Sequence, residues 1–339
     1  MGWTLLLTPL AVFLASWSLT GRVLAWLTRR AILDRPVARS AHRVPVPRGG
    51  GLALMPPVIA AWLVLAALGR APPAGAGIAV LAGCLAALSW LDDVRSLPAW
   101  LRLGAHLAAA AIGLALLPGA GAVFQGVLPP LLDRVATALL WVWFVNLFNF
   151  MDGIDGITGV ETAACGIGVA LVVLSLGSDA DGSAVLALTL AAGALAFLRW
   201  NWHPAQLFLG DVGSVPLGYL LGWLLLALAA KGVWAPALIL PLYYLADATI
   251  TLGRRILRRE RVWEAHRQHF YQRARGNDGN HAAVALMVLA ADVLLVLLAL
   301  LALVEPRCAL AGAGLVVAAL LAAMAQRARR GASGRRATR

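Results

Sequence analysis

Four polar residues recur at every third position in NLFNFMDGIDGITGVE (146–161): Asn146, Asn149, Asp152 and Asp155. They follow the apolar, tryptophan-rich run VATALLWVWFV. Carboxylates at membrane depth cost about 2.5–3.5 kcal/mol each at mid-helix and are usually functional. Each step of three residues turns a helix by about 300°, so the four drift over about half its circumference and form no narrow stripe. Gly153 and Gly156 mark where a helix stops and the backbone turns. The amides would then line the last helical turn, with the carboxylates facing water.

Three other stretches carry similar chemistry. LDDVR places Asp92 and Asp93 side by side. On a helix they point about 100° apart, so one can face a site while the other faces water or an arginine. FLGDVGS sets Asp211 between Gly210 and Gly213 at the start of an apolar run. An acid there complements a helix dipole, with Ser214 as a cap. It is equally a ligand for a hard cation such as Mg²⁺, which needs only one or two carboxylates beside substrate phosphates. AHRQHFYQR puts His266 and His269 on one helical face, with Arg267 and Arg273 near. That positive surround favours a phosphate clamp over a transition metal, since arginine grips phosphate in a bidentate manner. His42 with Arg39, Arg43 and Arg48 makes a weaker basic group. His106, in an apolar span, reads as a core residue; His281 opens a span; Asp247 reads as an ion partner for Arg254 and Arg255 or a support behind the site. Cys84, Cys165 and Cys308 lie far apart in apolar runs, with no metal-binding or disulfide spacing.

The elements that must position these residues are apolar helices. The chain is 61% hydrophobic over 339 residues, well above a soluble globule. Runs long enough to cross about 30 Å of hydrocarbon recur throughout. The fold class expected is all-α and polytopic, with about 11 spans: 3–26, 49–68, 74–91, 103–121, 135–151, 157–176, 184–200, 212–230, 233–252, 282–304 and 308–326. Residues 1–326 form one integral-membrane catalytic domain and 327–339 a basic tail. The first run lacks a basic leader and a cleavage site and reads as a retained span.

The net charge of +12 comes from 28 basic residues against 16 acids. Most basic residues fall in the loops after odd-numbered spans and in the C-terminal tail. The opposite loops hold only Arg70, Arg134, Lys231 and Arg307. The positive-inside rule then puts the N-terminus in the periplasm and the C-terminus in the cytoplasm. The charge is thereby a matter of topology and anionic lipid, not of nucleic acid. Every acidic motif falls on the same cytoplasmic side.

Carboxylates, a divalent ion, basic clamps and a membrane face suit transfer of a phosphoryl group from a nucleotide to a phosphate or alcohol embedded in lipid. The motifs resemble, in order and over nearly the whole chain, the polyprenyl-phosphate N-acetylhexosamine-1-phosphate transferases. EAHRQHFYQR is closer to the bacterial branch that initiates O-antigen and related surface glycans than to the peptidoglycan branch. The resemblance implies that a UDP-N-acetyl-sugar and undecaprenyl phosphate give undecaprenyl-diphospho-sugar and UMP, at the cytoplasmic face of the inner membrane. It implies Mg²⁺, with Mn²⁺ as a substitute, on Asp211, with Asn149 close to the metal and pyrophosphate. Asp92 resembles the group that deprotonates or orients the lipid phosphate, supported by Asp93. Asp152 and Asp155 complete the catalytic set, with Asp155 near the uridine. Asn201 and Phe208 resemble the uracil-contacting amide and ring. His266, Arg267 and His269 would hold phosphates or sugar, with Asn146 on the same wall. Homodimers are a habit of that family.

Two rivals stand beside this reading. An ion-coupled transporter would place its acids near the bilayer midplane and show repeats; here the acids gather at one end and no repeat is evident. A CDP-alcohol type of lipid phosphotransferase would carry its own aspartate signature, which is missing.

Overall fold

A computed structural model describes residues 2–34, 44–117, 122–177, 182–261, 266–275 and 279–337, with side chains through residue 330. The described residues are almost entirely helical, as expected. In chain order the helices are α1 (Gly2–Arg29), α2 (Gly51–Ala67), α3 (Ala74–Arg95), α4 (Ala99–Ala115), α5 (Pro130–Phe150), α6 (Ile157–Ser175) and α7 (Ser183–Asn201). There follow α8 (Asp211–Ala230), α9 (Trp234–Ile239), α10 (Leu242–Leu257), α11 (Phe270–Ala274), α12 (His281–Leu301) and α13 (Pro306–Ala337). A small antiparallel ribbon joins β1 (Leu33–Asp34) to β2 (Val46–Pro47).

Eight helices are long and apolar enough to cross a membrane, and α2 and α4, at 17 residues each, are shorter apolar helices. A stretch of about 20 residues spans the hydrocarbon untilted. The run expected as one span over 233–252 is instead divided into α9 and α10. Pro241 cannot donate the backbone bond a continuous helix needs, and its ring clashes with the carbonyl four residues back. At the other end, α13 continues past the expected boundary at 326. The Arg327 side chain donates through Nε to the Ala274 carbonyl at 2.8 Å, so the start of the tail pins α11.

The organising element is α8. Its sequence is apolar on every side, as a wholly enclosed helix requires, and its apolar window is entirely buried. α3 and α5 flank it, with α2, α6 and α9 completing the wall. The outermost helix is α1, which packs on α7 and turns Trp3, Leu6, Leu7, Leu10 and Leu14 outward. Apolar surface this continuous belongs against lipid. Only the first residue of α8, Asp211, is charged, so the central helix delivers one carboxylate at one end of the bundle. An acid pair interrupts the interior. Glu161 on α6 and Asp292 on α12 are both buried and within hydrogen-bonding reach of each other. Glu161 Oε2 and both Asp292 oxygens have no donor.

Candidate active site

Three segments meet at the N-terminus of α8. Gly210 has φ +76° and ψ 168°, a conformation closed to residues with a side chain. A Cβ there would stand 2.8 Å from Asp93 Oδ2. Its absence lets Asp93 reach across from α3. The Asp211 and Val212 amides donate to Oδ1 and Oδ2 of Asp93 at 3.3 and 3.1 Å. The helix is therefore capped in trans by a carboxylate on its positive end. Ser214, expected as the cap, instead donates its hydroxyl back to the Gly210 carbonyl at 3.3 Å.

Arg48 binds this corner together. Its Nη2 lies 2.8 Å from Asp93 Oδ1 and 2.6 Å from Asp211 Oδ1. The backbone aims it: the Phe208 amide donates to the Pro47 carbonyl at 2.9 Å, and the Gly49 and Gly50 amides donate to the Phe208 carbonyl at 3.1 and 2.8 Å. Asp92 has its own partners, accepting from the Leu97 amide at 2.6 Å and from Arg102 Nη1 at 2.9 Å. Arg102 also stands 3.9 Å from Asp211 Oδ2. The two adjacent aspartates thus point apart, as the helix demands, yet neither faces water. Their side chains are 8% and 2% exposed, against 16% for Asp211. Of the basic group around His42, Arg48 belongs to this corner; His42, Arg39 and Arg43 lie outside the described residues.

The second wall is the turn between α5 and α6. The helix ends at Phe150, before Gly153 as expected. Asp152 accepts from the Thr158 hydroxyl at 2.6 Å. Burial pushes its carboxyl up to about 7; the charges of Asp211 and Asp93 add to that, while the Thr158 bond and Arg48 oppose it. Asn149 is half-buried on the last turn of α5. Asn146, one turn earlier, donates to the Val142 carbonyl at 2.7 Å and lies against His106. His106 was expected to be a plain core residue. It is buried with Nδ1 unpartnered, and it stands among the charges of Arg102, Asp211 and Asp92.

Asp155, at the end of the same turn, has a separate environment. Its Oδ2 lies 2.6 Å from His203 Nδ1 and 3.1 Å from the Ala205 amide, and its Oδ1 lies 3.1 Å from His281 Nδ1. Burial alone would raise this carboxyl, but the bonds and charge of His281, with His203 and Ala205, outweigh it and hold the group below the ordinary aspartate range. Among the described residues these three are the one histidine–acid group whose ligand atoms lie within 4.8 Å of one another. A separation of 2.6 Å is a hydrogen-bond distance and too short for two neighbouring ligands on one ion. Asn201 is buried here. Its Oδ1 accepts from the Gly156 amide at 2.9 Å and its Nδ2 donates to the Leu207 carbonyl at 3.0 Å. Both ends of the amide fasten the α5–α6 turn to the loop that carries the half-buried Phe208, whose backbone pairs with Pro47, Gly49 and Gly50 beside the α8 corner.

The histidine segment differs from its expected form. His266 and His269 do not share a helical face: residues 266–269 are non-helical and lead into α11. The cause is Asp247, which is fully buried and accepts the Phe270 and Tyr271 amides at 3.0 and 3.1 Å. His269 Nδ1 lies 3.2 Å from the same carboxylate. Asp247 therefore caps α11 and orients His269, whereas Arg255 pairs with Glu260 at 3.0 Å. The two imidazoles still stack, with centroids 4.9 Å apart. Burial, His269 and Arg255 pull His266 down to about 4, so it is neutral near pH 7 and the clamp's charge must come from arginines. Arg267 is half-buried beside His266. The segment is tied to the second wall by the Tyr271 hydroxyl, which donates to the Phe150 carbonyl at 2.8 Å. A Cβ on Gly153 would collide with that hydroxyl.

The acid corner suits a divalent cation. Three carboxylates meet two guanidiniums, leaving one negative charge, and Asp211 is the most exposed acid, with Oδ2 no nearer than 3.9 Å to Arg102. One such exposed carboxylate is the sparse kind of oxygen ligand that Mg²⁺ uses beside substrate phosphates.

Residues 76–229 match the family described as glycosyl transferase family 4. The chain is 29% identical over 269 residues to a probable undecaprenyl-phosphate N-acetylglucosaminyl 1-phosphate transferase of Bacillus subtilis, covering 76% of this chain and 73% of the relative. It is 32% identical to a decaprenyl-phosphate N-acetylglucosaminephosphotransferase of Mycolicibacterium smegmatis, over 64% of this chain and 58% of that protein. It is also 30% identical to a phospho-N-acetylmuramoyl-pentapeptide-transferase of Thermosynechococcus vestitus, over 60% of this chain and 55% of that one. The alignments thus span less than two thirds of the mycobacterial and cyanobacterial relatives. The family match contains Asp92, Asp93, Asp152, Asp155 and Asp211 and stops short of the histidine segment. Through the region that holds these five acids, the chain is similar to glycosyl transferase family 4.

Proposed function

We propose that the protein transfers an N-acetylhexosamine 1-phosphate from a UDP-sugar to undecaprenyl phosphate, releasing UMP, at the cytoplasmic face of a bacterial inner membrane. The observation that carries this reading is the convergence of Asp92, Asp93 and Asp211 with Arg48 and Arg102 at one end of an apolar bundle. In the reaction an oxygen of the lipid phosphate bonds to the phosphorus bearing the sugar. The bond from that phosphorus to the oxygen bridging the two phosphates breaks, and UMP departs with the electron pair. Asp211 and Asn149 would hold Mg²⁺ or Mn²⁺, which supplies charge neutralisation to the pyrophosphate. Arg48 and Arg102 are positioned to do the same from the protein side.

The geometry divides the acids by task. Asp92 is engaged at both oxygens, so its role is to orient Arg102 toward the lipid phosphate. Asp93 holds Asp211 and Arg48. Asp152, titrating at about 7, is the carboxylate able to accept a proton from the lipid phosphate at neutral pH. His269 and Arg267 would reach the phosphates or sugar from the opposite wall. An apolar groove lined by Trp141, Phe144, Leu225, Trp234, Leu238 and Pro241 runs beside the half of α8 remote from Asp211, where the far part of the isoprenoid would lie. The relatives' printed activities support the lipid phosphate and the sugar phosphate. A membrane assay tests the proposal: undecaprenyl phosphate, Mg²⁺ and a panel of UDP-N-acetyl-sugars, scored by UMP release. Product with GlcNAc, FucNAc or QuiNAc nucleotides would place the step at the start of O-antigen or related glycan synthesis; release with none would refute it.

A further inference from the structure

The bonds around Asp155 resemble a relay more than an anchor. Three segments distant in sequence supply it: the α5–α6 turn, the loop after α7, and the first residue of α12. His281 is buried, and its Nδ1 lies 3.1 Å from Asp155 Oδ1. The Asp155 amide also donates to this nitrogen at 3.3 Å, so His281 lies against both the backbone and the carboxylate of Asp155. His203 donates from its own Nδ1 to the other carboxylate oxygen at 2.6 Å. The imidazole rings stand 4.8 Å apart and tilted by 48°. The three groups differ in exposure: Asp155 and His281 are buried, whereas the His203 side chain is 32% exposed. With Nδ1 committed to Asp155, the other ring nitrogen of His203 is a fixed acceptor. A carboxylate that sets an imidazole's tautomer and orientation is the usual way to prepare such an atom for a ligand.

We propose that His203 is a substrate-contacting residue, accepting a hydrogen bond at Nε2 from an N–H or O–H group of the sugar nucleotide, and that Asp155 and His281 are positioning residues acting through it. This rests on the sugar-nucleotide reading above. The loop favours the nucleotide over the lipid: His203 lies between Asn201, which fastens the turn, and Phe208, at the acid corner. The groups facing His203 are the Asp155 carboxylate and the His281 ring.

His203→Asn keeps a donor for Asp155 and deletes Nε2. It should raise KM for the UDP-sugar about tenfold, the scale of one lost hydrogen bond. KM for undecaprenyl phosphate should not change. His281→Asn, which keeps a polar side chain against Asp155, should retain most of the wild-type KM, whereas His281→Leu should reproduce the KM defect. A second readout needs no turnover: UMP should raise the Tm of purified wild type more than that of His203→Asn. Equal KM and equal UMP-induced shifts in both proteins would overturn the proposal, as would a KM defect confined to the lipid substrate. If wild type releases no UMP from any UDP-sugar yet UMP still discriminates the two proteins, the sugar-transfer reading fails and the nucleotide contact stands.

Discussion

Asp93 on α3 caps the helix that begins with Asp211, accepting the Asp211 amide at 3.3 Å while sharing Arg48 with its side chain. The pair makes the second aspartate of LDDVR a structural determinant of the first residue of FLGDVGS. Asp93→Ala should therefore cost about 1 kcal/mol or more in stability, as lost helix caps do. It should also lower UMP release at least tenfold by freeing Arg48 and Asp211. Asp93→Asn retains an acceptor and should recover most of the stability but little activity. Thermal unfolding and UMP release measured on the same preparations check this.

Asp152 should set a pH limb. Its carboxyl exchanges its proton at about 7, and the ionised form is the acceptor, so activity should climb as pH rises through about 7. Asp152→Asn should lose about 10²-fold or more in kcat, and the limb with it. Stability should move the opposite way. The folded state holds this proton more tightly than the unfolded chain, so the stability Asp152 contributes at low pH is lost as pH rises from about 4 to about 7. A pH–rate profile and pH-dependent unfolding of wild type and Asp152→Asn decide the matter.

Gly153 is needed because Tyr271 occupies the place of its missing side chain. Gly153→Ala should displace the histidine segment and lower kcat at least tenfold. Tyr271→Phe, which removes the colliding hydroxyl and its bond to the Phe150 carbonyl, should partly restore activity in the double variant. A double-mutant cycle on kcat is the test; strictly additive losses would contradict the contact.

Glu161 and Asp292 present three buried oxygens with no donor. Asp292→Asn supplies an amide N–H to Glu161 and removes one acid from the interior. Unsatisfied buried polar groups cost about 1–3 kcal/mol each, so this variant should unfold at the same or a higher temperature than wild type at pH 8. A large fall in Tm would show that Asp292 has an ionic partner.

The acids were readable in the sequence because each stands in a short polar turn at the end of an apolar run, often beside glycine. Their arginine partners were not. Arg48 and Arg102 are two among many basic loop residues, and nothing local separates a guanidinium that bridges two carboxylates from one that meets lipid headgroups. The PRGGG run beside Arg48 was the available hint, since a glycine series signals close backbone approach. The His266–His269 spacing suggested a helix, but Asp247, on another helix, fixed the helix start after His269. The break at Pro241 was legible from the proline and was masked by continuous hydropathy. His203, one side chain in a polar loop, gained meaning only when Asp155 and His281 closed around it.

The central claim is that the Asp92–Asp93, Asp152–Asp155 and Asp211 stretches form one centre for exchange of a sugar phosphate between nucleotide and lipid. UMP release from the active UDP-sugar, compared between wild type and Asp211→Ala in membranes holding equal amounts of protein, tests it most directly. The account predicts Mg²⁺-dependent release by wild type, abolished by EDTA, and at least a hundredfold loss in the variant. Release by Asp211→Ala at the wild-type rate would contradict it.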